Sequence, residues 1–311
     1  MRNVLSLFNG ISGLHLALDK ANIKVDNVYY AEIDKFANKI TEHHYPDDVA
    51  LGDVTKWRGW NIDWSSIDLV SAGFPCQAWS VAGKQLGDKD ERGMLFWTTL
   101  DIIKTVLEHN PKAKFLMENV KMKKEFEEYI THHTEQALGY VEKTLINSSL
   151  VSAQNRNRYY WTNFKVKHPD DKGTLLKDIV DGTCINLYKG LEKDIRNGEV
   201  ASEQNLNGIS QTMQRALNNG RNPDQKANTL TACSYKGMGT NGMSNVLINE
   251  SALEHPNVYN GILYRKLTPI ECERLQTFPD NWTDCVSNTQ RYKSIGNAWT
   301  VDVIAHILGC L

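Results

Sequence analysis

Over the first 165 or so residues, short apolar runs alternate with stretches of helical spacing. Val4–Phe8, Val28–Ile33, Ile67–Ala72, Lys114–Met117, Glu142–Ser148 and Arg158–Trp161 read as strands. Leu14–Asn22, Lys35–His44, Leu95–His109 and Lys123–Leu138 read as the helices between them. This alternation predicts βαβ units and an α/β fold, a doubly wound and mainly parallel sheet. From His168 to Leu263 the periodicity fades, and Asn, Gly, Thr and Ser become frequent. Val246-Leu247-Ile248 within this stretch argues for a second, smaller and irregular domain rather than a disordered insertion. Order returns at Leu267–Leu275 and in a final helix near Trp299–Leu308, expected to pack back on the first domain. The expected domains are therefore 1–167 plus 264–311, and 168–263.

Composition narrows the class without naming it. With 41% apolar and 23% charged residues, the 311-residue chain has the make-up of an ordinary globular enzyme. No apolar run approaches the roughly 18 residues of a membrane span, and the N-terminal apolar stretch is too short for a secretory signal, so a cytoplasmic location is expected. Cys76, Cys184, Cys233, Cys272, Cys285 and Cys310 are scattered, without a C-x-x-C pair or close histidines. That spacing predicts reduced thiols, no disulfide framework and no metal site. A net charge of −2 does not by itself indicate a nucleic-acid partner.

Two groups of residues carry candidate chemistry. The first strand runs into Asn9-Gly10-Ile11-Ser12-Gly13 and then a helix, an arrangement in which a ligand approaches backbone at a helix N-terminus. Its spacing is not G-x-G-x-x-G, which disfavours a dinucleotide. Glu32, near the end of the second strand, has the position of a ribose-binding acid, and Asp53 can accept from an adenine amino group. Each alone is equally readable as a structural turn or a solvated acid; in series they fit adenosine without pyrophosphate. The second group starts where Gly73-Phe74-Pro75-Cys76-Gln77 follows the third long strand. A thiol on such a loop is either a small buried hydrophobe or a tunable nucleophile. Glu118 ends the next strand, and a buried acid there needs a partner or a task. Arg156 and Arg158, two apart on an extended segment, are expected on one face, to neutralise or position Glu118 or to hold a phosphate. Nucleophile, acid and arginines beside adenosine suit methylation of cytosine C5, which needs thiolate addition at C6 before it can attack a sulfonium methyl.

At this point the sequence closely resembles the cytosine-5 DNA methyltransferase family over nearly its whole length. The resemblance rests on Phe8-Asn9-Gly10-Ile11-Ser12-Gly13, Phe74-Pro75-Cys76-Gln77, Arg92-Gly93-Met94-Leu95-Phe96, Glu118-Asn119-Val120 and Gln154-x-Arg156-x-Arg158. It continues through Arg265-x-Leu267-Thr268-Pro269-x-Glu271-x-x-Arg274-Leu275-Gln276-x-Phe278-Pro279 and Gly296-Asn297-Ala298-Trp299, in the family's order. Ser12 stands where many members have glycine, and Trp299 where many have valine. The resemblance implies a Rossmann-like class I methyltransferase fold, with S-adenosylmethionine as donor and S-adenosylhomocysteine as product. It implies Cys76, Glu118, Arg156 and Arg158 as the catalytic set. It places Phe8, Gly10, Ser12, Gly13, Leu14, Glu32, Ile33, Asp53, Val54, Pro75, Leu95, Asn297 and Trp299 around the cofactor, and makes 168–263 the target-recognition region.

The expected partner is double-stranded DNA, with a cognate restriction endonuclease as a further candidate and a monomer as the expected state in a bacterial or phage-infected cell. Gln77, Ser80 and Arg92 on the nucleophile loop are expected at the DNA, Thr229 and Lys236 at phosphates, and Gln211 and Arg215 at bases. A tRNA cytosine methyltransferase is the nearest alternative, but that branch carries a Cys-Phe-Thr element, absent between 168 and 263. A catalytically dead binding protein is disfavoured by the retained Cys76, Glu118, Arg156 and Arg158, and a nicotinamide dehydrogenase by the glycine spacing.

Overall fold

The computed structural model describes residues 1–75, 93–180, 220–221, 224–232, 245–248, 257–259 and 262–311. Cys76, Gln77, Ser80, Arg92, Gln211, Arg215 and Lys236 lie outside the described residues. The chain divides into two units: Met1–Asn147, Asn157–Pro169 and Val301–Leu311 form the first, and Ser148–Arg156 with Asp170–Thr300 the second. Residues 264–300, assigned from the sequence to the first domain, thus group with the second.

The first unit is built on a seven-stranded sheet. Its strands are β1 (Asn3–Leu7), β2 (Asn27–Ala31), β3 (Val49–Ala50), β4 (Ile67–Ala72), β5 (Lys114–Val120), β6 (Glu142–Asn147) and β7 (Asn157–Thr162). They lie in the order β3-β2-β1-β4-β5-β7-β6. Pairing is parallel from β3 to β5, while β7 runs antiparallel to both β5 and β6. The order reverses between β1 and β4, and an open α/β sheet binds its ligand beyond the strand C-termini at such a switch point. Leu5, Leu7, Leu69 and Val70 are all buried, as expected of strands covered on both faces. The helices are α1 (Gly13–Lys20), α2 (Lys35–His44), α3 (Met94–His109) and α4 (Lys124–Leu138). α2 starts where the Asp34 carboxylate accepts from the N–H groups of Phe36 and Ala37, satisfying two of the helix's orphan donors.

In the second unit, β8 (Gly220–Arg221), β9 (Asn245–Ile248), β10 (Asn257–Tyr259) and β11 (Ile262–Lys266) form a sheet in the order β10-β11-β9-β8. Helices α5 (Pro269–Leu275) and α6 (Asn288–Asn297) follow. Ala153, Leu176, Ile179, Val180, Ala227, Leu230, Leu267, Cys272, Leu275 and Ile295 share one core, which is why 148–156 and 264–300 belong with this unit. The final helix expected near Trp299–Leu308 is α7 (Val301–Leu308), and α6, which the sequence pattern did not reveal, precedes it across the extended backbone at Ala298 (φ −68°, ψ 161°). α7 belongs to the first unit, where it packs on α1 and Asp302 pairs with Lys20 at 2.7 Å.

Candidate active site

Between β1 and α1, Phe8 (φ 56°), Gly10 (φ 60°) and Ser12 (φ 60°) all adopt left-handed backbone. A Cβ built on Gly10 would meet nothing within 4 Å, so its backbone borders open space. Ser12 is a non-glycine residue in a conformation that costs side chains energy. Its fully buried hydroxyl donates to Thr41 Oγ1 (2.9 Å) and accepts from the Asn9 amide (3.1 Å), which in turn is fixed by Ser6. This local network holds a turn that glycine would adopt freely. Leu14, 1% exposed, and Val54 face the core and offer little side-chain surface to a ligand.

At the end of β2, the Glu32 carboxylate is fixed by three main-chain donors: Gly10 N–H on Oε2 (2.9 Å), and Ile33 and Asp34 N–H on Oε1 (both 2.8 Å). The acid thereby ties the β1–α1 turn to the β2–α2 turn. Beside it Ile33 is 77% exposed, an unusual place for a large aliphatic side chain. Asp53 precedes the 3-10 turn Val54–Gly59, and its Oδ1 accepts from Thr55 N–H (2.9 Å) and Thr55 Oγ1 (2.8 Å). These bonds hold its carboxyl below the usual carboxylate range.

β4 and β5 pair in parallel register, with Ala72 opposite Met117. Phe74 and Pro75 therefore leave β4 beside the strand that ends in Glu118, Asn119 and Val120. In the β5–β7 ladder Glu118 faces Tyr160 and Val120 faces Arg158, so Glu118 and Arg158 are diagonal neighbours on one face. Arg158 Nε lies 2.8 Å from Glu118 Oε1, with Glu118 only 8% exposed. The guanidinium also donates to the Asn157 carbonyl (2.9 Å), which fixes its orientation. Asn119, buried, donates to the Phe74 carbonyl (3.1 Å) and accepts from Val120 N–H (2.8 Å). It pins the segment leading to Pro75 onto the strand carrying the acid. In the sequence this role of Asn119 is marked only by its place in Glu118-Asn119-Val120.

The two arginines engage different partners. Arg158 pairs with Glu118, whereas Arg156, one residue before β7, belongs to the second unit and takes other partners. Arg156 is 4% exposed and donates to the carbonyls of Leu230 (2.9 Å), Gly296 (3.5 Å) and Ala298 (2.9 Å). Gln154 accepts from Leu230 N–H (2.7 Å) and donates to Gln276 Oε1 (3.2 Å), and Gln276 donates to the carbonyls of Ile295 and Ala298 (both 3.1 Å). In the sequence Gln276 is marked only by its place in the Arg265–Pro279 motif. Thr229 gives its hydroxyl proton to the Asn155 carbonyl, so a phosphate would have to displace that bond. At the end of α6 Asn297 is exposed, and beyond it Trp299 is half-buried while Ala298 and Thr300 are buried. Leu95 and Pro75 are half-buried. Among the described residues no group of three or more His, Cys, Asp or Glu side chains is placed to hold a metal. No described helix is long and apolar enough to cross a membrane. Cys272 is in the core, where burial pushes its thiol pKa well up, so it behaves as a small hydrophobe.

Residues 2–311 match the C-5 cytosine-specific DNA methylase family. Type II methyltransferase M1.ScrFI of Lactococcus lactis subsp. cremoris is 34% identical over 97% of this chain and 75% of its own. Type II methyltransferase M.NlaX of Neisseria lactamica is 32% identical over 99% of this chain and 95% of its own. The fold is shared with the Entamoeba histolytica methyltransferase EhMeth (TM-score 0.68, 17% identity, 99% of this chain and 97% of that one). It is shared too with a Spodoptera frugiperda DNMT2 mutant (TM-score 0.65, 19% identity, 99% and 98%). With the family matched from the second residue to the last, the chain belongs to the C-5 cytosine-specific DNA methylases and is an enzyme that methylates DNA at cytosine C5.

Proposed function

We propose that the enzyme methylates a flipped cytosine in a short duplex target through a covalent bond between Cys76 and C6, with Glu118 and Arg158 holding the base. The observation that carries this reading is the buried Glu118–Arg158 pair beside the strand that leads into Pro75. Cys76 follows Pro75 directly in the sequence. A thiolate there adds to C6, and the pair of electrons displaced from the C5–C6 double bond makes C5 nucleophilic. Glu118, held in line by Arg158, stabilises the proton at N3 that this addition requires. After C5 has gained its methyl group, loss of the C5 proton restores the double bond and expels the thiolate. A stacked, paired cytosine hides C6, so the base has to leave the helix.

Membership in the family implies S-adenosylmethionine as donor, and the chain's residues fit it. Open space at Gly10 admits a ligand against backbone, and the fixed Glu32 carboxylate offers an acceptor to ribose hydroxyls. The exposed Ile33 offers an apolar surface to a base, and Asp53 offers an acceptor to an adenine amino group. Phe8, Ser12, Gly13, Pro75, Leu95, Asn297 and Trp299 complete the proposed lining, with Leu14 and Val54 behind it. Held there, S-adenosylmethionine supplies the electrophilic methyl that C5 takes. Gln77, Ser80 and Arg92 are proposed to meet the DNA around the flipped base, Gln211 and Arg215 its bases, and Lys236 its phosphates. The relatives' designation as type II methyltransferases supports a cognate restriction endonuclease as partner. We take the methyltransferase to act as a monomer in the cytoplasm.

The test uses duplex DNA carrying 5-fluorocytosine, from which the C5 substituent cannot leave after methyl transfer. A cofactor-dependent, SDS-resistant complex is expected, and it should vanish in Cys76→Ser. An equally stable complex with the serine variant would remove Cys76 from the role.

A further inference from the structure

The junction between the Thr229–Thr231 segment and the end of α6 is closed by side chains with no catalytic geometry of their own. α6 has no left-handed capping residue: Ala298 is extended, so the last carbonyls of the helix need other donors. Gln276 donates to those of Ile295 and Ala298, and Arg156 to those of Gly296 and Ala298. A cation is favoured at this negative end of the helix dipole. The same Arg156 nitrogen that reaches Gly296 also donates to the Leu230 carbonyl. Gly296 completes the contact, because a Cβ there would overlap the Thr231 carbonyl carbon and oxygen. One planar guanidinium therefore spans two segments, which a lysine ammonium, a point charge, cannot do in the same geometry.

We propose that Arg156 is a positioning residue that couples the 229–231 segment of the recognition region to the cofactor-binding Asn297 and Trp299. The coupling rests on the proposed placement of those two residues at the cofactor. Displacing the 229–231 backbone moves the carbonyl that Arg156 holds, and with it the turn presenting Asn297 and Trp299. DNA bound at the recognition region then tightens the cofactor site, and by linkage cofactor tightens DNA binding to the same degree.

The experiment measures S-adenosylhomocysteine affinity by calorimetry, alone and with unmethylated plasmid DNA, in the wild type, Arg156→Lys and Trp299→Ala. For Arg156→Lys, affinity without DNA should weaken about tenfold, the scale of one charge-assisted hydrogen bond. The tightening by DNA should disappear, and KM for S-adenosylmethionine should rise more than kcat falls. Unchanged affinity and unchanged DNA dependence with a large fall in kcat would place Arg156 at the reacting base and overturn the proposal. Full affinity in Trp299→Ala would show that the underlying cofactor assignment had failed, independently of Arg156. Hydrogen exchange on the unaltered enzyme gives a second readout that needs no variant to fold. S-adenosylhomocysteine should protect amides at 229–231, and plasmid DNA should protect those at 295–299; protection confined to each ligand's own segment would also overturn the coupling.

Discussion

Single side chains in this protein are held by short-range geometry that decides what a substitution does. Ser12 occupies left-handed backbone at a strain of roughly 1–2 kcal/mol, offset by buried hydroxyl bonds of about 0.5–1.5 kcal/mol each. Ser12→Gly loses the bonds and the strain together, so its thermal unfolding should stay close to wild type. Ser12→Ala loses only the bonds and should melt lower than the glycine variant; the reverse order in calorimetry would mean that the strain is not real. Asp53 shows how local bonds set a charge. Thr55's N–H, and then its hydroxyl, hold the carboxyl below its ordinary value. With the folded pKa depressed, the stability from those bonds is complete above the unfolded value and is lost only as pH falls through the lower, folded one. Asp53 is therefore anionic across pH 5 to 8, and Asp53→Asn should weaken S-adenosylhomocysteine binding equally over that range. A pH-dependent difference between the variant and wild type would contradict this. Glu118→Gln keeps shape and removes the charge that stabilises N3 protonation, so turnover should fall by about 10²–10⁴ while cofactor affinity barely changes. Loss of affinity with turnover intact would place Glu118 in another site.

At the scale of elements, strand pairing converts neighbouring sequence motifs into a site. The Ile67–Ala72 strand and the Lys35–His44 helix were readable to the residue, because each is bounded by a clear change of pattern. β5 extends to Val120, three residues beyond the apolar run, since Glu118 and Asn119 satisfy their polar groups on β7 and Phe74 rather than ending the strand. β3 has only two residues and left no periodic trace. The opposition of Arg158 to Glu118 was legible as an acid and a basic motif, but the divergence of Arg156 was not. It depends on carbonyls some 70 and 140 residues away in sequence. Asn119 is the element-level link between β4's exit and the acid. Asn119→Ala leaves the buried Phe74 carbonyl and Val120 N–H without that partner, at a cost of about 1–3 kcal/mol per unsatisfied group. The expected result is slower formation of the 5-fluorocytosine adduct in single turnover, with the Kd for S-adenosylhomocysteine nearly unchanged. Adduct formation at the wild-type rate would show that the loop keeps its position without the bond.

Across the whole molecule, the sequence boundary at 168 and 263 marks a change of texture, whereas the spatial division follows hydrogen bonds and core contacts. Residues 226–231 are bound to 148–156: Lys226 donates to the carbonyls of Ser149 and Ser152, Ala227 N–H to Ala153, and Asn155 N–H to Ala227. Thr229 and Leu230 direct their polar groups to Asn155, Gln154 and Arg156. These groups fasten the unit together and are not free to read a base sequence, so discrimination should come from other parts of 168–263. This shapes the test of specificity by exchange. Replacing 181–223 and 233–256 with the corresponding segments of a relative of different target, while keeping 224–232, leaves the junction with 148–156 and α6 intact. That chimera should fold, bind S-adenosylhomocysteine as the wild type does, and methylate the relative's sequence. Replacing 168–263 entire should transfer the target only where the donor segment supplies equivalents of Lys226, Thr229 and Leu230. Bisulfite sequencing of plasmid DNA methylated by each chimera reads the target directly. Individual base-reading substitutions, with Gln211 and Arg215 as first choices, should each cost roughly 1–3 kcal/mol of discrimination at a single position. A chimera that folds and methylates the original sequence would show that specificity is read outside 181–223 and 233–256, and the recognition assignment would fall with it.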